Sequence, residues 1–230
     1  MTIEVSSAAP KVLVVDDHAI SRTHIAAVFQ GISCAVRQSG TAAEAITIAS
    51  DWFPDVICMD IRLPDNNGLR VISHILSTWT PGRIKPVIII LTADDSVIDK
   101  TRLAELEIAR VLVKPVSGQQ LREVICLNMP GRVSEKQVEG SGLELRFLFR
   151  EELRLRLPEL DGCMLNLDMP KAAGILHQLI ASAAICQERQ LESDLRDLDR
   201  ECRHEAHVAS LARYYTAFLN SARDFQFRTE

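Results

Sequence analysis

Five short apolar runs alternate with segments of helical period across the first half of the chain, and this alternation restricts the fold more than any other feature. The runs lie at 12–15, 55–59, 86–91 and 111–113, with Cys34-Ala35-Val36 as a weaker fifth. Between them, residues 18–30, 41–51, 67–79, 95–107 and 117–127 carry the periodicity of amphipathic helices. Continuous runs rich in branched residues suit strands buried on both faces. Strands that alternate with helices pair in parallel, with helices covering both sides. Residues 10–128 are therefore expected to form an α/β doubly wound parallel five-stranded sheet, preceded by a tail at 1–9.

The texture changes further along. Residues 129–141 are polar and hold two glycines and a proline, which is linker composition. From Gly142 onward no strand-like run remains, and Leu, Ala, Glu and Arg dominate. Helices are expected at 143–161, 169–185, 188–204 and 206–224, with Asp168 as an N-cap and Pro170 in the first turn. The natural solution for residues 142–230 is an all-α four-helix bundle.

Bulk properties narrow the function classes. The chain has 230 residues, a net charge of -5 and a pI near 5.7. No Lys/Arg cluster offers a footprint for a phosphate backbone, so no DNA partner is expected. The six cysteines form no CxxC and mostly sit inside apolar patterns, as in a reduced protein with structural thiols. The N-terminus lacks the pattern of a secretory signal. The longest apolar run, Pro86 to Leu91, is far shorter than the roughly 20 residues of a membrane helix. A soluble, cytoplasmic protein with no membrane partner is expected.

In an open parallel sheet, ligands bind outside the carboxyl ends of the strands. Three carboxylates belong there, since one run leads into Asp16-Asp17 and another into Asp60. Converging carboxylates repel, and without a cation at least one pKa rises. A hard divalent ion such as Mg²⁺ relieves the repulsion and prefers oxygen ligands. The fourth run ends in Leu91-Thr92-Ala93 and the fifth in Val113-Lys114-Pro115, which adds a hydroxyl and an ammonium to the same rim. An acid cluster, a hydroxyl and a lysine make a phosphoryl site, with one aspartate as nucleophile and the cations neutralising the transferred group. A DD pair or a strand-end lysine alone is more often a cap or a solvated charge. The conjunction at successive strand ends is specific.

The stretches Val14-Val15-Asp16-Asp17-His18, Met59-Asp60-Ile61-Arg62-Leu63-Pro64-Asp65-Asn66-Asn67-Gly68, Leu91-Thr92-Ala93 and Val113-Lys114-Pro115 resemble the receiver domain of two-component response regulators. The resemblance covers essentially all of residues 10–128. It implies Asp60 as phospho-acceptor and Mg²⁺ held by Asp17, Asp60 and the Arg62 carbonyl, with Asp16 acting through water. It also implies phosphoryl oxygens bound by Thr92 and Lys114. One position departs: many members carry Tyr or Phe three residues before the lysine, where this chain has Val111. An aromatic rotation coupled to Thr92 is therefore not its means of signalling. Arg62 is read as solvent-facing.

In the second half, the stretch from Pro170 to Ala184 carries the information. On a helical wheel Ala172, Ile175, Leu176, Leu179, Ala183 and Cys186 form a core face, and His177 falls roughly opposite. Ala173, Gly174, Ala181 and Ala184 surround it and leave a flat surface that another protein could approach. A solvent-facing neutral imidazole is nucleophilic near pH 7. A lone surface histidine is usually only that; the neighbourhood changes the weighting. Residues 143–224 resemble the histidine-phosphotransfer (Hpt) domain, whose signature His-x-Leu-Lys-Gly-Ser/Ala-Ser/Ala is matched by His177-Gln178-Leu179-Ile180-Ala181-Ser182-Ala183. Ile180 replaces the lysine and Ala181 the glycine, and Ile180 is expected to be an exposed apolar contact. His204 and His207 are read as surface residues. Trp52, Trp79, Tyr214 and Tyr215 are read as packing groups.

Together these readings describe a phosphorelay protein. Asp60 accepts a phosphoryl group from a sensor histidine kinase, and His177 exchanges one with another receiver protein. With no nucleotide-binding segment after the histidine, the chain is not a kinase by itself. A flexible linker of this length spans roughly 20 Å, so exchange within one molecule is conceivable. The alternative is a phosphorylation-gated binding module whose bundle docks a partner without chemistry, which Val111, Ile180 and Ala181 favour.

Overall fold

The computed structural model describes residues 9–93, 100–129, 132, 141–203 and 208–227. Contacts divide the chain into two units, Met1–Glu139 and Gly140–Glu230. In the first, strands β1 (Lys11–Val15), β2 (Ala35–Ser39), β3 (Val56–Asp60), β4 (Val87–Thr92) and β5 (Arg110–Val113) form one sheet in the order β2-β1-β3-β4-β5. Every pairing is parallel. Helices α1 (Ala19–Gly31), α2 (Ala42–Trp52), α3 (Gly68–Ser77), α4 (Lys100–Glu105) and α5 (Gly118–Asn128) alternate with the strands.

The central strands show why their sequences are apolar without a break. Val12, Val14, Cys58, Ile89 and Leu91 face one way and pack on Ile25, Phe29, Leu121 and Ile125 of α1 and α5. Leu13, Val15, Ile57, Met59, Ile88 and Ile90 face the other way, onto Ala45 and Ala49 of α2 and Val71, Ile72 and Ile75 of α3. Side chains alternate along a strand, so two covered faces require two sets of apolar residues. The weaker fifth run at Cys34-Ala35-Val36 has the same cause in reverse. β2 is an edge strand, and its Ala35, Arg37 and Gln38 are exposed.

Element ends are set locally. Thr41 caps α2 by accepting from the Glu44 amide, Asn67 caps α3, and Ser117 with Gln120 forms a reciprocal capping box on α5. The helix expected over 95–107 is described only as Lys100–Glu105, with 94–99 outside the described residues. It stops short because Glu107 takes a left-handed φ of 53° while the Ile108 amide bonds back to Leu103.

In the second unit, α6 (Ser141–Asn166), α7 (Met169–Ile185), α8 (Arg189–Arg203) and α9 (Val208–Phe227) form the four-helix bundle. Successive helices pack on one another and α6 also meets α9, which closes the ring. α6 runs past the expected 143–161 at both ends, and the exposed Pro158 lies within it. Two left-handed residues make the tight reversals: Leu167 (φ 55°) between α6 and α7, and Gln187 (φ 59°) between α7 and α8. Asp168 accepts from the Lys171 amide at 3.2 Å, the expected N-cap. The core is aliphatic and aromatic: Leu176 and Leu179 from α7, Leu191, Leu195 and Leu198 from α8, and Phe149 of α6 against Phe225 of α9 with ring centres 4.9 Å apart. His204 and His207 lie outside the described residues, as does most of 129–141. Arg132, within that stretch, pairs with Asp55 at 3.3 Å.

Candidate functional site

The sheet order reverses between β1 and β3, and the site lies at the carboxyl ends of these two strands. Asp16 follows β1 and is fully buried, Asp17 is exposed, and Asp60 closes β3 with 6% exposure. One carboxylate oxygen from each lies within 4.8 Å of the others. Thr92, buried, ends β4 beside them in register, and Lys114 follows β5. All five strand-end residues expected from the sequence are thus brought to one rim.

The hydrogen bonding is dense. The Asp16 carboxylate accepts from the His18 amide at 2.9 Å, the Ser21 hydroxyl at 2.6 Å and the Lys114 ammonium at 2.8 Å. Asp60 accepts from the Arg62 amide at 3.1 Å through one oxygen and from Lys114 through the other. Burial pushes the Asp60 pKa up. Lys114 pulls it back and Asp16 pushes it further, and the net is a raised value. For Lys114, burial pulls the pKa down, but Asp16 and Asp60 together outweigh it and hold it above the usual lysine value. The ammonium ties two carboxylates that would otherwise repel.

Three carboxylates against one ammonium leave the rim short of positive charge. The donors are hard oxygens on a partly open rim, since Asp17 is exposed. This donor set fits a divalent cation of the Mg²⁺ type.

Close approach of backbone explains Gly68. A Cβ there would stand 2.0 Å from the Asp60 carbonyl oxygen. Only glycine lets the start of α3 close against the end of β3 and fold the loop 61–67 back over the site. That loop is moored by Asp65, whose carboxylate accepts from the Ala42 and Ala43 amides at the start of α2 at 2.9 and 3.1 Å. Arg62 is exposed, as read from the sequence.

Three supporting residues were not legible in advance. Ser21 is buried and holds Asp16; Arg22 donates to the Asp16 carbonyl at 2.6 Å; Asp65 anchors the loop. For Ser21 a signal existed: a hydroxyl one helical turn into α1 can face back to the strand end. Val111 is half-buried and packs among the aliphatic side chains of the α2–α3 face.

In the bundle, His177 is exposed on α7, and the expected core face of Ala172, Ile175, Leu176, Leu179, Ala183 and Cys186 is buried. Gly174 is exposed with open space around it, and Ala173, Ala181 and Ala184 are half-buried. One expectation is corrected: Ile180 is half-buried rather than exposed, because it stands at the border of the buried arc and not opposite it. Ser182 is fully buried and donates to Glu152 at 2.5 Å, a polar contact that the wheel did not show. Tyr215 bonds Asp161, and Trp79 packs edge-on against Phe53.

Residues 12–126 match the response regulator receiver domain. That segment is half of the chain, and the chain belongs to this family. Members take part in two-component signalling and are phosphorylated on an aspartate. The chain is similar to the Regulator of RpoS of Escherichia coli strain K12, 27% identical over 116 residues that make up 50% of this chain and 33% of that protein. It is also similar to the positive alginate biosynthesis regulatory protein of Pseudomonas aeruginosa, 29% identical over 119 residues covering 50% of this chain and 45% of that one. The match thus spans less than half the length of these curated relatives. Among solved structures, a CheY-like receiver domain from Methylobacillus flagellatus aligns with a TM-score of 0.47 and 16% identity over 51% of this chain and 97% of that one. Among the described residues, no helix is long and apolar enough to cross a membrane.

Proposed function

We propose that this chain is a phosphorelay protein in which Asp60 accepts a phosphoryl group and His177 exchanges one. The observation that carries the first half is the conjunction at the rim: a buried Asp60 within reach of Asp16 and Asp17 and paired to Lys114. A phosphohistidine on a sensor histidine kinase is the donor. Its P–N bond breaks, the imidazole leaves with the electron pair and takes a proton, and a P–O bond forms to an Asp60 carboxylate oxygen. Lys114, already against Asp60, stays to bind an oxygen of the transferred group, and the Thr92 hydroxyl bonds another. Mg²⁺ would be held by Asp17, Asp60 and the Arg62 carbonyl, with Asp16 through water, and would neutralise phosphoryl charge. The raised Asp60 pKa fits a carboxylate that gains from a cation at its side.

The second half rests on the exposed His177 in a four-helix bundle, on a helix face lined by Gly174 and small alanines. A phospho-aspartate of another receiver docks there. The acyl P–O bond breaks, a P–N bond forms to the imidazole, and the imidazole N–H proton is released. The reverse reaction passes the group onward. A cytoplasmic setting fits these partners.

A second reading has its own support. Val111 packs as an aliphatic residue where an aromatic switch would sit, and α7 carries Ile180 in place of a lysine. On that reading the bundle is a docking module gated by Asp60. Labelling with a phosphodonor in Mg²⁺ separates the two, using Asp60→Asn and His177→Gln variants. An alkali-labile label lost in Asp60→Asn and an alkali-stable one lost in His177→Gln support the relay. A His177→Gln variant that labels and signals like wild type supports the docking module.

A further inference from the structure

A phosphoryl group on His177 carries about two negative charges at neutral pH, and α7 offers none of the compensation in the following turn. Ile180, Ala181, Ser182, Ala183 and Ala184 are all uncharged. The neighbouring helix supplies what α7 lacks. Arg156 of α6 reaches across to α7 and donates through Nη2 to Oε1 of Gln178, the residue directly after the histidine, at 2.8 Å. Its other terminal nitrogen, Nη1, contacts Glu159 at 3.0 Å. Glu159 is shared with a second cation, Lys171 of α7, at 3.4 Å.

This trio holds two positive groups on one carboxylate, and Arg156 reaches from it to Gln178, the residue next in sequence to the histidine. Arg156 is also spread over two kinds of partner. Its bond to Glu159 is charged, while its bond to the Gln178 amide oxygen is to a neutral acceptor. The latter is the weaker of the two and is the one a phosphoryl oxygen would displace. The Arg156 side chain is about one-third exposed. Arginine suits this task because its planar fork presents paired N–H donors to phosphoryl oxygens.

We infer that Arg156 is the phosphoryl-binding cation of the His177 site, supplied from α6 where α7 carries Ile180 instead of a lysine, with Lys171 keeping Glu159 neutralised. This rests on the reading of His177 as a phosphorylated residue. Arg156 would hold the group on His177, slow its loss to water, and favour acceptance from a docked phospho-aspartate. Arg156→Gln would keep a polar, hydrogen-bonding side chain, shorter than arginine, and remove the charge, while Arg156→Lys keeps the charge.

The test uses the full chain. Wild type, Arg156→Gln, Arg156→Lys and His177→Gln are incubated with Mg²⁺ and a phosphorylated receiver domain, and with phosphoramidate as a partner-free donor. Alkali-stable label and its decay are followed over time. The expected result is roughly ten-fold less label or faster decay in Arg156→Gln, as for loss of one charge-assisted contact, with both donors and with partial recovery in Arg156→Lys. Unchanged circular dichroism and melting would accompany it. Labelling and decay equal to wild type in Arg156→Gln, with His177 still labelled, overturn the role of Arg156 alone. Absence of any label on His177 in wild type overturns the relay reading and this inference with it.

Discussion

The two units place the groups proposed to react in opposite environments. In the first, the Asp60 carboxylate is buried at the end of an apolar strand and pinned by Lys114 and by the Arg62 amide. In the second, the imidazole stands exposed on the outer face of a helix among small side chains. A buried charge is costly and must be explained by partners or by chemistry. An exposed histidine costs nothing and explains nothing by itself. The receiver site therefore points to its chemistry through its own energetics, while the role proposed for the bundle rests only on what surrounds His177.

This difference can be broken or sharpened in a graded way. The largest effect is expected at Gly68. Replacing it with alanine drives a Cβ into the Asp60 carbonyl, and roughly 4 kcal/mol or more of receiver stability should be lost, with Asp60 labelling. A Gly68→Ala protein that labels normally would contradict the close packing of α3 on β3. Next is Phe149→Ala, which empties the centre of the bundle against Phe225. A cost of about 3–5 kcal/mol is expected for the bundle, while Asp60 should still be labelled. Thermal melts combined with labelling would show whether the two units fail separately.

Magnesium should act on one unit only. At a hundred-fold excess over its dissociation constant it should stabilise the receiver by about 2.7 kcal/mol, and Asp17→Asn should abolish that shift. Ser21→Ala removes one of three donors to the buried Asp16 carboxylate. About 1–2 kcal/mol of stability should go with it, and labelling of Asp60 should slow.

The smallest effect is a pH dependence. Burial lowers the pKa of His24 on α1, against a bond to the Val116 backbone that raises it. The folded state therefore resists protonation more than the unfolded chain does. Its contribution is present above the ordinary value of 6.5 and is lost as pH falls through 6.5 toward the lower folded value. His24→Gln should flatten the melting temperature over that window and leave it unchanged above.

Much of this was legible in the residues. The central strands announced themselves because burial on two faces forbids polar residues at Val12 through Val15 and Ile88 through Leu91. The edge strand β2 was faint because Arg37 and Gln38 face water. Asp16, Asp17, Asp60, Thr92 and Lys114 could be placed on one rim because each ends an apolar run. What could not be read was contact between distant segments. Asp65 bonding α2, Ser182 bonding Glu152 and Arg156 reaching Gln178 depend on how helices meet, which no local periodicity encodes. Ile180 was misplaced for a related reason: at the border of the buried arc, the neighbouring helix decides its exposure.

The central claim is that both units of one chain carry phosphoryl groups. Site-resolved phosphopeptide mapping kept close to neutral pH, where both acyl phosphate and phosphohistidine survive, after incubation with a phosphorylated kinase and then with a phosphorylated receiver, tests it most directly. The account predicts modification at Asp60 from the first donor and at His177 from the second. Modification at Asp60 with an unmodified His177 under both donors would contradict it, and would make the bundle a docking module controlled by the receiver.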